Sequence, residues 1–185
     1  MNIREMDFDK PIIIDTYENY ARLTGITVEM LSPAEPLKDG YTIISKDLYV
    51  VLYNDEILNQ EHLNWTLAHE IGHIYLNHDK DGPKQEVEAH WFAAELLAPE
   101  PLIRYMMYNE EVELSPHKIR EIFELSKEAS EKRYKTIKNK NIWNSYLCDE
   151  LEYKYRFAMQ KYSDIPPFTQ ATVRQILASA SFEIR

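Results

Sequence analysis

The sequence predicts an α+β fold, with a small antiparallel sheet in its N-terminal part and helices behind it, and three observations carry that expectation. Residues 41–44 and 48–53 are β-branched or aromatic runs parted by Ser45-Lys46-Asp47, which is the chemistry of a hairpin. From Asn59 onward, apolar residues recur at helical spacing. Proline-rich and Asp-Gly segments separate these stretches. At 185 residues, 44% hydrophobic and 28% charged, the chain has the composition of an ordinary globular protein and a length of about one domain on a prior of roughly 150 residues. Residues 1–112 are expected to form the core and 113–185 a helical region packed on it as one unit.

Taken in order, residues 15–23 read as a short helix stopped near Gly25, and Pro33, Pro36 and Asp39-Gly40 mark loop and turn before the hairpin. Residues 59–77 form one long helix. The break at 79–83 ends on Pro83, suited to the first position of the next helix, which runs to about Ala98 where Pro99 and Pro101 end it. Ser115-Pro116 is an N-cap followed by a first-turn proline, and Ser126 restarts a second helix. Residues 143–161 make a third. Beyond Pro166-Pro167, the residues Val173, Ile176, Leu177 and Ala180 give the stripe of a terminal helix.

Composition removes several classes of function. The single cysteine, Cys148, allows no intrachain disulfide and no multi-thiolate metal site, which fits a reducing compartment. Four glycines, at 25, 40, 72 and 82, cannot write either glycine-rich phosphate loop. Acids outnumber Lys and Arg by 31 to 21, a net charge of −10 that argues against binding anionic membrane or duplex DNA. The first ten residues carry acids where a signal peptide is apolar, and no stretch reaches the ~18 apolar residues of a membrane span. The expected location is cytoplasmic.

The chemistry lies in His69-Glu70-Ile71-Gly72-His73, an H-E-x-x-H string inside the strongest helix. At 100° per residue, His69, His62, His73, Thr66, Asn77 and Glu70 share one polar arc, while Leu63, Leu67, Ala68, Ile71, Ile74 and Tyr75 take the opposite side. Two histidines one turn apart reach a single zinc ion, and a glutamate beside them can take a proton from water held there. Gly72 costs the helix about 1 kcal/mol relative to alanine, so another element is expected to approach it closely. The third ligand comes from the next helix. Height above the turn favours Glu88, whereas facing mildly favours Glu86.

The segment 65–73, then Leu76 and His78, then 86–99 resembles the ImmA/IrrE family of bacterial and phage metallopeptidases, whose pattern reads T-x-A-H-E-x-G-H and then E-x-E-A-x-x-F-A-x-x-L-L-x-P. Ala98 stands where methionine is common, and the chain opens without the N-terminal helix-turn-helix domain of many relatives. The resemblance implies a zincin-like core, a zinc ion held by His69, His73 and Glu88, and Glu70 as the general base of a peptidase. It implies substrate laid along the strand before the zinc helix, at Leu48, Val50 and Leu52. It implies as partner a regulatory protein, a helix-turn-helix repressor or an antitoxin of a mobile element or stress response. The rival reading is a non-catalytic, metal-containing regulator or partner-binding protein.

Other features are plainer. His62 lies too far along the helix for the same ion, and His117 reads as surface. Cys148 is a packed thiol, and Tyr146, Tyr153, Tyr155 and Tyr162 form a core or interface cluster. Residues 127–140 set six cations against Glu128 and Glu131, and with residues 119–126 this resembles the helix-turn-helix-like tail of the relatives. A solvated face is the favoured reading, with direct DNA binding not expected. His78, His90, Tyr75 and the hairpin tyrosines are unranked donors for an oxyanion.

Overall fold

The apolar run before Asp15 and the cap after it divide the first regular stretch in two. Strand β1 (Ile12–Thr16) carries the run, and helix α1 (Tyr17–Thr24) follows directly. Thr16 Oγ1 accepts from the Asn19 backbone N–H at 3.1 Å, and the Asp15 carboxylate accepts from both the Thr16 amide and the Asn19 side chain. The helix expected from residue 15 therefore starts two residues later, because β-branched isoleucines favour the strand up to a good N-cap. Gly25, at φ 74°, ends it, as the sequence suggested. The computed structural model describes residues 8–32, 37–57, 59–80, 82–109 and 113–139.

After α2 (Val28–Leu31), capped by Thr27, strands β2 (Gly40–Ile44) and β3 (Tyr49–Tyr53) form the expected antiparallel hairpin. The sheet has three strands in the order β1-β3-β2, and β1 joins β3 in parallel. The sheet is thus mixed rather than purely antiparallel, since a strand that returns through α1, α2 and β2 can add beside β3 in the same direction. Its two faces are distinct. Val50 and Leu52 pack with Tyr17 and Leu31 on one side, and Tyr49 and Val51 pack with Ile74 of the next helix on the other. That explains why β3 reads as an unbroken apolar run: it is covered on both faces.

Helix α3 (Gln60–Tyr75) starts at Asn59, whose Oδ1 accepts from the amides of Glu61 and His62. It ends where Asn77 turns to φ 52°, with the Leu76, Asn77 and His78 amides bonded back to Gly72, Ile74 and His73. Helix α4 (Pro83–Leu97) then opens on its proline as expected.

The described residues divide into two compact units between Leu96 and Leu97. The second contains α5 (Glu100–Asn109), α6 (Pro116–Phe123) and α7 (Lys127–Asn139). Helix α5 is not expected from the sequence, where Pro99 and Pro101 read as a stop. Pro101 instead occupies the first turn of a new helix, where its missing N–H removes no bond. Ser115 and Ser126 cap α6 and α7 by accepting from Lys118 and Ala129. The basic run is uneven in space: Arg133 is buried with Nε donating to the Ala98 carbonyl at 2.9 Å, and Lys132 pairs with Glu128. The helices expected at 143–161 and near 173–180, Cys148 and the late tyrosines lie outside the described residues.

Candidate metal centre

The middle of the polar arc of α3 does not face solvent, although His62 and Asn77 near its ends do. Thr66, Glu70 and His73 are buried, and the sheet register explains what covers them. Thr42 pairs with Val51, on the face of the sheet that packs against α3, so Thr42 and Gly40 both point at that helix. Thr42 Oγ1 lies 2.6 Å from Glu70 Oε2 and 3.1 Å from the Glu70 carbonyl oxygen. A Cβ on Gly40 would stand 2.6 Å from Thr66 Cγ2 and 2.9 Å from Glu70 Cγ, so the close approach of β2 requires glycine there. The sequence reads Gly40 only as part of a turn and Thr42 only as a strand residue, since what they touch depends on the strand register.

Next to Glu70, the Nε2 atoms of His69 and His73 lie 3.2 Å apart. Two nitrogens bound at ~2.0–2.1 Å to one tetrahedral zinc lie about 3.3 Å apart, so the pair already has the spacing that a shared ion needs. A carboxylate completes the group. Glu86 Oε2 is 3.2 Å from His69 Nε2 and Oε1 is 3.8 Å from His73 Nε2, and ligand atoms of His69, His73 and Glu86 all lie within 4.8 Å of one another. Burial pushes the His69 imidazole down to about 4, helped by the neighbouring His73 and His90 and opposed by Glu86. It is therefore neutral at ordinary pH, with a lone pair to offer. The donor set, two imidazoles and a carboxylate, is the one that suits a catalytic zinc.

Glu88, the third ligand implied by the resemblance, is placed elsewhere. Its carboxylate faces His78 Nε2 at 3.2 Å and Lys84 at 3.5 Å. The helix facing, which mildly favoured Glu86, prevails over height: Glu86 precedes the buried Ala89 by one turn and turns with it toward α3. The close contact expected at Gly72 is present, as a Cβ there would stand 3.2 Å from Ala89 Cα and 3.1 Å from Phe92 Cδ1.

The expected substrate strand needs correction. In the order β1-β3-β2, β3 is central and its backbone is paired on both sides, while Val50 and Leu52 are 1% and 0% exposed in the core with Leu48 packed against them. Leu48, Val50 and Leu52 are packing residues, and the edge strand beside Glu70 is β2. His62 pairs with Asp39 at 2.8 Å, on the surface, and His117 is exposed. Among the oxyanion candidates, Tyr49 donates to Asp9 and Tyr75 stacks on Phe92, whereas His90 lies edge-on to His69 with centroids 4.8 Å apart. No described helix is long and apolar enough to cross a membrane.

A family model described as the peptidase M78, IrrE N-terminal-like domain matches residues 21–135, a range that includes the hairpin, α3 to α6 and most of α7. No curated protein and no solved structure gives a match.

Proposed function

The chain belongs to the peptidase M78, IrrE N-terminal-like family, and from that membership we propose that it is a zinc-dependent endopeptidase acting on an intracellular regulatory protein. The observation that carries this reading is the convergence of His69 Nε2, His73 Nε2 and the Glu86 carboxylate at the foot of a buried Glu70. His69, His73 and Glu86 would hold a zinc ion, which would supply Lewis acidity toward a peptide carbonyl and a water molecule. Glu70 would take a proton from water as its oxygen bonds to the carbonyl carbon and pass it to the amine as the C–N bond breaks, with Thr42 holding Oε2 so that the carboxylate keeps one orientation. His90, beside His69, is the residue offered to a developing oxyanion. An extended segment of substrate adds to the edge strand β2, which carries Thr42.

The substrate class follows the resemblance: a helix-turn-helix repressor or antitoxin. A regulator that works through DNA contact is the second reading, and the burial of Arg133 together with the Lys132–Glu128 pair weakens it.

The test uses the full chain. Purified protein should hold one zinc, lost in His69→Ala and His73→Ala, and Glu86→Ala should weaken binding more than Glu88→Ala. Glu70→Gln should retain zinc yet no longer cut a small helix-turn-helix protein from a neighbouring reading frame when the two are co-expressed. Cleavage at the unmodified rate by Glu70→Gln would refute the mechanism, and the reverse order of the two glutamates would return the third ligand to Glu88.

A further inference from the structure

The two histidines of the motif differ on their far sides. His69 Nδ1 is buried with no hydrogen-bond partner among the described residues, while His73 Nδ1 lies 3.0 Å from His78 Nδ1. The other nitrogen of His78, Nε2, lies 3.2 Å from Glu88 Oε2. With both rings neutral, these two contacts take the following assignment of protons. A carboxylate accepts, so His78 Nε2 carries the hydrogen. His78 Nδ1 is then a bare acceptor, and the hydrogen between the two rings belongs to His73 Nδ1. That leaves His73 Nε2 without a proton, directed toward His69 Nε2 and Glu86.

The end of α3 places His78 there. With Asn77 in the left-handed region at φ 52°, the chain folds back, and the His78 amide donates to the His73 carbonyl at 3.0 Å. This helix terminator brings the residue two past the capping Leu76 beside a residue of the last turn. The rings of His73 and His78 meet edge-on at 5.0 Å, and the His78 side chain is 7% exposed. The same engagement removes His78 from the oxyanion candidates, because both of its nitrogens are occupied.

We infer that His78, backed by Glu88, is a positioning residue that fixes the tautomer and ring orientation of His73 and so presents Nε2 for metal binding. The inference rests on the reading of His69 and His73 as metal ligands. Outer partners of ligating histidines commonly contribute about 10–100-fold to metal affinity.

The experiment measures zinc affinity of the full chain by competition with a chelator, beside the melting temperature of the metal-free protein. His78→Ala should lose about 10–100-fold in zinc affinity. His78→Asn, whose side-chain oxygen can accept at the place of Nδ1, should recover most of the loss. In ring-nitrogen NMR of the metal-free parent, His73 should carry its proton on Nδ1. That measurement decides the matter even if His78→Ala fails to fold. An affinity in His78→Ala within twofold of the parent, or a His73 proton on Nε2, would overturn the inference. A parent that binds no zinc, with His73 still protonated on Nδ1, would defeat the metal reading and leave the tautomer assignment standing.

Discussion

Tyr17 carries its hydroxyl fully into the core beneath β3. Burial pushes its phenol up to about 12, with the Ser32 hydroxyl opposing and the charge of Glu70 adding to the rise. An unfolded tyrosine ionises near 10, so the folded chain holds this proton more tightly. The stability it contributes is complete below about pH 10 and is lost as pH rises from there to about 12. Urea melts across that range should show the fall, and Tyr17→Phe should flatten it; an equally steep fall in the variant would assign it to other groups. At this scale the sequence was partly legible. His69, Glu70 and His73 stand out because an i, i+4 pair with an intervening carboxylate is a local pattern. Thr42 and Gly40 are silent in one dimension, since what they touch depends on a strand register set by β3. Glu86 and Glu88 were both visible, and choosing between them required the rotation of α4 about its own axis.

Elements fared according to how local their causes are. The hairpin, α3, α4 and the Ser115 cap follow from neighbouring residues, and all are found where the sequence put them, within a residue or two at the helix ends. The addition of β1 to β3 in parallel depends on a distant partner, and α5 turned on reading a proline as an entry rather than an exit. The spacing of α3 and α4 gives a prediction proper to elements. Gly72→Ala gains about 1 kcal/mol of helix propensity, yet its methyl would meet the Ala89 backbone at 3.2 Å. Helix backbone gives way less readily than a side-chain tip, so α4 should shift and carry Glu86 with it. Melting temperature should therefore not rise by the propensity gain, and chelator competition should show weaker zinc binding. A stabilised variant with unchanged zinc affinity would mean that the helices tolerate the extra carbon.

Across the whole molecule, the net charge of −10 hides an uneven arrangement. The basic run that looks continuous in sequence spreads over an interior arginine, a paired lysine and exposed cations on α7, so cation counts along the chain overstate the charge it presents. Pairing shows a comparable contrast between sequence and space. Thr42 meets Val51 across a short hairpin, whereas Ile14 meets the same Val51 only after α1, α2 and β2 have been traversed. Closing the longer loop costs more chain entropy before any contact compensates it. This difference should order events in time: hairpin first, β1 last. In stopped-flow experiments Val51→Ala should mainly slow folding, and Ile14→Ala should mainly speed unfolding. The opposite partition would place β1 in the nucleus. On the expected order, Gly40, Thr42 and the histidine helix come from a contiguous part of the chain that can condense early, and the strand farthest from Thr42 in the sheet is the late arrival that locks it.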